Sequence, residues 1–343
     1  MFRELPLVKK ALEPLQLDIP DNLVGIRGHL YDLSGWDHPG GDLFVAIARG
    51  TDATALFETH HINAALAESA LRALADKRRG TYKCRSGYSF ARYAALRLRM
   101  AAQFPTRKSR TNENCHAEII WTAVAVGIHM LVLVHASTAL ILASALTNTV
   151  CGGYGHNALH RLSPFALGLD WNGLSSFEWL HEHVHSHHMY VNTAADHDAI
   201  SMLPFVRWIP GDEQTFFGGR SLWWGRHAIY LVGEVAVAIQ GNFVHAFRWK
   251  ALSHQSVPLW MKLGPLLFAA RIASYFVVLG TRDGLVACAA SLCVAGYYFA
   301  FLAHLSHGYG VDARPDFVAH QLANTRDIKV PRPLAPAALF LDR

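Results

Sequence analysis

Five histidines fall within eight positions in His181-Glu182-His183-Val184-His185-Ser186-His187-His188. Imidazole is the common neutral nitrogen ligand of iron, copper, zinc and nickel, and neither cores nor ordinary surfaces collect it at this density. On a helix, His183 and His187 lie one turn apart on one face, with His188 beside them. His181, His185 and His188 define a second face, so spacing by itself leaves two ligand sets open. Upstream, His156 and His160 form another i, i+4 pair where a long apolar stretch ends. Two such elements can close around a metal that neither holds alone; the competing reading is a histidine-rich solvated loop. A third group, His304 and His307, stands at the end of Gly284 to Ala303, a run of twenty residues without a formal charge. All three groups lie near ends of apolar stretches, so one membrane face can bring them together.

A different pair occupies the N-terminal quarter. His38-Pro39-Gly40-Gly41 combines a fixed proline backbone with two glycines that permit a tight turn and close approach to a ligand. Asp52-Ala-Thr-Ala-Leu-Phe57-Glu-Thr-His60-His61 leads into a helical pattern of Ala, Leu and Glu. Two histidines about twenty residues apart, each beside apolar helical residues, can grip a flat cofactor from both faces; a lone HPGG also suits a plain turn. Leu43, Phe44, Val45, Leu56, Phe57 and Leu71 are candidates to line such a pocket or simply to form core. Ile26 to Tyr31 alternates as one short strand, Asp32 to Trp36 reads as a turn, and the helical pattern ends near Asp76.

The elements that must position these groups are apolar. The 343 residues are 52% hydrophobic and 17% charged, with mean hydropathy +0.16, which fits a membrane protein better than a soluble one. Ile119 to His160 is forty-two residues without a formal charge, and one span needs roughly twenty, so two spans turning near His135-Ala-Ser-Thr138 are predicted. His129 and His135 fall inside this stretch without local partners and carry no assignment. Ala228 to Phe243 and Leu259 to Gly280 are weaker span candidates, or helices lying along the interface. Residues 21–76 hold three basic and eight acidic residues, whereas 77–110 hold eleven Lys or Arg and no acid. Because that basic run leads directly into apolar sequence, it reads as a cytosol-facing juxtamembrane segment rather than a nucleic-acid site. The five cysteines show no disulfide or metal spacing and read as reduced thiols, and Met1 to Pro20 lacks the long apolar core of a secretory signal.

Residues Val24 to Ser34, His38-Pro-Gly-Gly and Asp52-Ala-Thr-Ala-Leu-Phe-Glu-Thr-His-His61 together resemble the cytochrome b5 domain. The resemblance implies haem b with both axial positions filled, by His38 and by His61 rather than His60, so that the iron carries electrons and does not bind oxygen. The acidic balance of this unit suits docking to a basic reductase.

From residue 21 to about 328 the chain resembles the membrane fatty acid desaturases of the front-end type, which carry a fused N-terminal b5 domain. His156-Asn-Ala-Leu-His160 matches the first box and His183-Val-His-Ser-His187-His188, followed by Met-Tyr-Val-Asn192-Thr and Ala195-Asp-His-Asp198, matches the second. The resemblance selects His156, His160, His183, His187, His188 and His307 as ligands of two non-haem irons, with His304, His320 and His185 as secondary candidates. Asn192, Asp196 and Asp198 are expected to support ligands from behind. It implies an α+β haem unit (21–84), a basic linker (85–117) and an all-α polytopic membrane domain (118–328), after an N-terminal segment (1–20). One departure stands out: the family's third box, Gln-x-x-His-His, should follow residue 328, yet no histidine follows His320 and 329–343 resembles nothing in the family. A truncated or misread C-terminus and an iron site short of ligands are therefore expected.

The implied activity is insertion of a cis double bond into a long-chain or polyunsaturated acyl group, on acyl-CoA or phospholipid. O2 is the co-substrate, and electrons pass from NADH-cytochrome b5 reductase through the haem. The expected address is the endoplasmic reticulum bilayer, with haem unit and histidine boxes on the cytosolic side and no role for nucleic acid. Two alternatives are a b5-fused fatty acid or sphingoid hydroxylase and an inactive membrane-anchored b5 electron carrier.

Overall fold

An arginine and a glycine at positive φ set the first structural feature. β1 (Val24–Ile26) and β2 (His29–Tyr31) are joined through Arg27 (φ 51°) and Gly28 (φ 79°), a two-residue hairpin whose twist matches the strands it links. Alternation over 26–31 predicts one strand; the chain instead reverses inside it. The reversal is held from outside, since Arg27 N–H donates to Thr54 Oγ1 (2.8 Å) and its guanidinium donates to Glu58 and Glu68 (2.6 Å each). β3 (Arg78–Thr81) pairs with β2 to complete a three-stranded antiparallel sheet in the order β1-β2-β3. Helices α1 (Leu43–Ala48), α2 (Thr54–His60) and α3 (Ala64–Ala73) accompany it, with Val24, Ile26, Tyr31, Val45, Leu56 and Leu74 in a shared core. This is the expected small α+β unit.

The computed structural model describes residues 19–84, 87–104, 115–193, 196, 198, 223–245, 256–307 and 314–326, without the side chains of 223, 224, 240, 244, 245, 304 and 307. Residues 327–343, where the departure from the third box falls, lie outside the described residues. Helix α4 (Ala91–Gln103) crosses the basic linker and is tied to the end of α2. Tyr93 Oη donates to the Thr59 carbonyl (3.0 Å), and Arg97 Nη1 donates to the carbonyls of Glu58 (2.7 Å) and His61 (2.9 Å).

The rest is helical. α5 (His116–Val134) and α6 (Thr138–Leu159) are separated at His135 to Ser137, where the two predicted spans should turn, and Ser137 Oγ caps α6 at Leu140 N–H (3.3 Å). At their other ends Glu118 and Arg161 form an ion pair. Short helices α7 (Leu167–Asn172) and α8 (Ser176–Trp179) lead into a π-helix, Leu180–His187. α9 (Trp223–Ile239), α10 (Leu259–His307) and α11 (Phe317–Asn324) follow. α10 is a hairpin, not a rod: Gly280 at φ 77° reverses it, so Arg271 Nη1 on one arm donates to Ser291 Oγ on the other (2.9 Å). His129, which lacked a local partner, finds one across the bundle in Ser274 Oγ (3.0 Å).

Two helices, His116–Val134 and Leu259–Ala303, are long and apolar enough to cross a membrane. Large apolar side chains face outward on α5 (Ile120, Met130, Val134), α6 (Leu142, Leu146) and α10 (Val277, Leu285). Water would penalise such a surface, whereas hydrocarbon covers it at no cost.

α6 and α7 cross closely because the residues between them are small. A Cβ added at Gly155 would lie 2.5 Å from Leu169 N and 2.9 Å from Gly168 C, and one at Gly168 would lie 2.6 Å from the Cys151 carbonyl oxygen. Backbone cannot yield as a side chain tip can. Gly155→Ala is therefore expected to lower stability by about 1–3 kcal/mol, read as a lower midpoint in detergent unfolding, and to disturb the adjacent His156.

Candidate haem and metal centres

The turn after Trp36 fixes His38. Its backbone N–H donates to Asp42 Oδ1 (3.2 Å), and Gly41, at φ 91°, turns its carbonyl to within 3.0 Å of His38 Nδ1. The Gly40 N–H also approaches that nitrogen, at 3.1 Å. His61, just past the end of α2, donates from Nδ1 to the Phe57 carbonyl (2.9 Å). A carbonyl accepts only from N–H, so in His61, and in His38 when it bonds Gly41, the lone pair resides on Nε2. That is the arrangement a ligating imidazole needs. Burial holds His38 below the ordinary imidazole range and so favours its neutral form. The two ring centroids are 5.8 Å apart.

They border a cavity of about 410 Å³ walled by Val24, Ile26, Leu33, Phe44, Leu56 and Leu71 among other residues. Apolar walls with one imidazole on either side fit a haem gripped from both faces. Of the six predicted lining residues, Phe44, Val45, Leu56, Phe57 and Leu71 border it; Leu43 does not. Leu43 turns away, with Ile47, into the core of the helical unit beside Ala158, Leu159 and Val184.

The second centre forms where α6 ends and the π-helix runs beside it. A π-helix closes i to i+5 hydrogen bonds, and such widened turns recur at functional sites. Nε2 of His156 and His183 lie 2.8 Å apart, those of His160 and His156 3.3 Å, and those of His188 and His183 3.0 Å. One ligand atom from each of His156, His160, His183 and His188 lies within 4.8 Å of all the others. His183, His187 and Asp198 form a second group under the same limit.

The proton positions decide what this cluster can do. His183 Nδ1 donates to Asp198 Oδ2 (3.0 Å) and His156 Nδ1 to Asn157 Oδ1 (3.1 Å). Their facing Nε2 atoms therefore both present lone pairs, which repel unless a cation lies between them. Burial and the neighbouring imidazoles hold His183 well below its usual pKa, removing protonation as a remedy. The donor set thus fits a nitrogen-binding transition metal. His187 behaves differently: burial opposes its charge, but Asp196, 3.0 Å from Nδ1, and Asp198 outweigh it and raise its pKa to about 9. Asp196 Oδ2 also accepts the Asn192 N–H (2.8 Å), holding Asn192 at φ 55°.

The remaining candidates separate. His185 is buried on the other side of the π-helix, stacked on Phe44 of the haem unit (6.1 Å, 12°). His320 is buried with Nε2 on the Val191 carbonyl (2.8 Å), anchoring α11 to the segment after the second box. The side chains of His304 and His307 lie outside the described residues. Trp179, which the sequence reading passed over, packs against His156 (5.6 Å) and His183 (4.8 Å). Its place four residues before His183 put it on the ligand face all along.

Comparisons with known proteins follow this division. Residues 16–95 match the cytochrome b5-like heme/steroid binding domain. The chain is 30% identical over 264 residues to a cytochrome b5-related protein of Drosophila melanogaster, covering 73% of this chain and 58% of that one. It is 27% identical over 332 residues to an acyl-lipid (7-3)-desaturase of Rebecca salina (85% and 69% covered). It is 24% identical over 334 residues to the acyl-lipid (7-3)-desaturase of Diacronema lutheri (85% and 70%). The chain thus spans 58% to 70% of the length of these relatives. No solved structure matches it significantly.

Replacing His61 by Ala should abolish the haem absorbance of the purified protein while leaving metal binding at the second centre intact, as read by metal analysis. Asp198→Ala should weaken metal retention about 10- to 100-fold, measured by titrating metal-free protein, with the haem spectrum unchanged.

Proposed function

We propose that this chain, a distant homologue of the acyl-lipid desaturases with its own cytochrome b5 domain, is a membrane acyl desaturase of the front-end type. It inserts a cis double bond into a fatty acyl chain on the carboxyl side of an existing one. The observation that carries this reading is the convergence of four Nε2 atoms from two separate elements, with the protons of His156 and His183 committed elsewhere. Two non-haem irons held there would supply O2 activation and removal of hydrogen from an unactivated C–H bond, which side chains alone cannot accomplish.

The chain's own residues do the rest. His156, His160, His183, His187 and His188 hold the metal, and His307, at the mouth of the second arm of α10, completes it, with His304 in reserve. Asp198 and Asp196 fix the tautomers of His183 and His187. Trp179 shields two ligands from water. The apolar helices hold the acyl chain, carried on CoA or phospholipid, in a polytopic membrane domain. His38 and His61 would hold a haem, which would supply electron relay, and covalent fusion would keep its local concentration high. The acidic haem unit receives a basic b5 reductase on the cytosolic face of the endoplasmic reticulum, where the basic linker meets the bilayer. A membrane-bound b5 electron carrier is the second reading, favoured by the 30% identity to the cytochrome b5-related protein.

The deciding measurement is non-haem iron per haem in the detergent-purified chain, joined to lipid analysis of cells expressing it and fed polyunsaturated acids. About two irons per haem and a new double bond are expected. Full haem with no iron and unchanged lipids would overturn desaturation in favour of the carrier, and a hydroxylated acyl product would place the chain among the hydroxylases.

A further inference from the structure

The haem cavity and the π-helix that carries the second histidine box share a wall. Phe44 borders the cavity and also packs on the core beneath the histidine boxes. Its ring stacks on His185 (6.1 Å, 12°) and lies 5.6 Å from that of His60, which borders the same cavity. Around this wall the two units are pinned together. Leu43 and Ile47 enter the helical core, Tyr190 Oη donates to the Asp52 carbonyl (2.8 Å), and Thr59 Oγ1 meets Met189 Sδ (3.2 Å).

These contacts use α1, α2 and Asp52 just before α2, all of which lie between His38 and His61. The haem unit therefore turns its cofactor side, and not its sheet, towards the second box. A unit attached only for anchoring has no physical reason to choose that face. Electron tunnelling weakens steeply with distance and passes better through packed atoms than across a gap. Parallel rings at stacking separation give a short packed route.

We infer that Phe44 and His60 form the electron-transfer contact between the haem site and the histidine cluster, with the Phe44–His185 ring pair as its main bridge. This rests on reading the two centres as haem and iron sites. With both groups bound, each event would move one electron, oxidising ferrous haem to ferric and reducing one ferric iron to ferrous with no bond or proton moving, and a flavin-type reductase would re-reduce the haem.

The test follows re-oxidation of chemically reduced haem in the full chain by rapid mixing with O2, comparing iron-loaded with iron-free protein. The iron-dependent rate should fall about tenfold or more in Phe44→Leu, which keeps an apolar side chain but removes the ring, and recover in Phe44→Tyr. His60→Leu should slow it as well. Haem spectrum, midpoint potential and iron content are measured for each variant, so that altered driving force is separated from altered coupling. Leu43→Ala loosens the same face without touching the ring. If it slows transfer as much as Phe44→Leu does, or if Phe44→Leu keeps the wild-type rate, the inference is overturned. A wild-type chain with no iron-dependent component would instead sink the iron-site reading, and the inference with it.

Discussion

Everything in the helical half depends on where two imidazole protons go. Asp198 accepts a hydrogen bond from Nδ1 of His183 and Asn157 one from Nδ1 of His156, leaving two Nε2 lone pairs facing each other at 2.8 Å. In a buried site this juxtaposition is unfavourable by itself, and a bound cation turns the repulsion into ligation. The surroundings serve that end. Gly155 lets α7 approach the end of α6 so closely that His156 is presented from a rigid crossing. The widened turns of the π-helix set His183, His187 and His188 against it, and the turn at Asn192 returns Asp196 behind His187.

The same economy joins the two units. α1 begins five residues after His38, so its sequence must both wall the haem cavity and meet the helical core. It divides the tasks by side chain: Val45 faces the cavity, Leu43 and Ile47 face the helices, and Phe44 touches both. Arg97 adds a constraint from the linker by binding the carbonyls of Glu58 and His61, which fixes the end of α2 beside the apolar cavity. Cavity, linker and histidine boxes are thus mechanically linked.

Local chemistry explains which parts were legible beforehand. Apolar runs must become helices once hydrocarbon is the solvent, so α5, the turn near His135 and α6 follow from an uncharged stretch. The HPGG turn and the apolar residues around His61 similarly foretell two histidines on the border of one apolar cavity. Arg27 was opaque, because its positive φ is imposed by Thr54, Glu58 and Glu68, which are remote in sequence. Leu43 was opaque for the same reason: hydrophobicity says that it is buried, not against which unit.

The sequence by itself determined the residue types and their periodicity: imidazoles one turn apart, an α+β haem unit, apolar helices long enough to span. Those properties act between near neighbours, so they can be read from spacing. Spacing left the histidines undivided, and the tertiary structure separates them by contact. His183 and His188 join His156 and His160, His185 turns to Phe44, and His320 is consumed by the Val191 carbonyl. An imidazole ligates, stacks or anchors according to what faces it, and those partners range from the next residue (Asn157 for His156) to more than a hundred residues away (Val191 for His320).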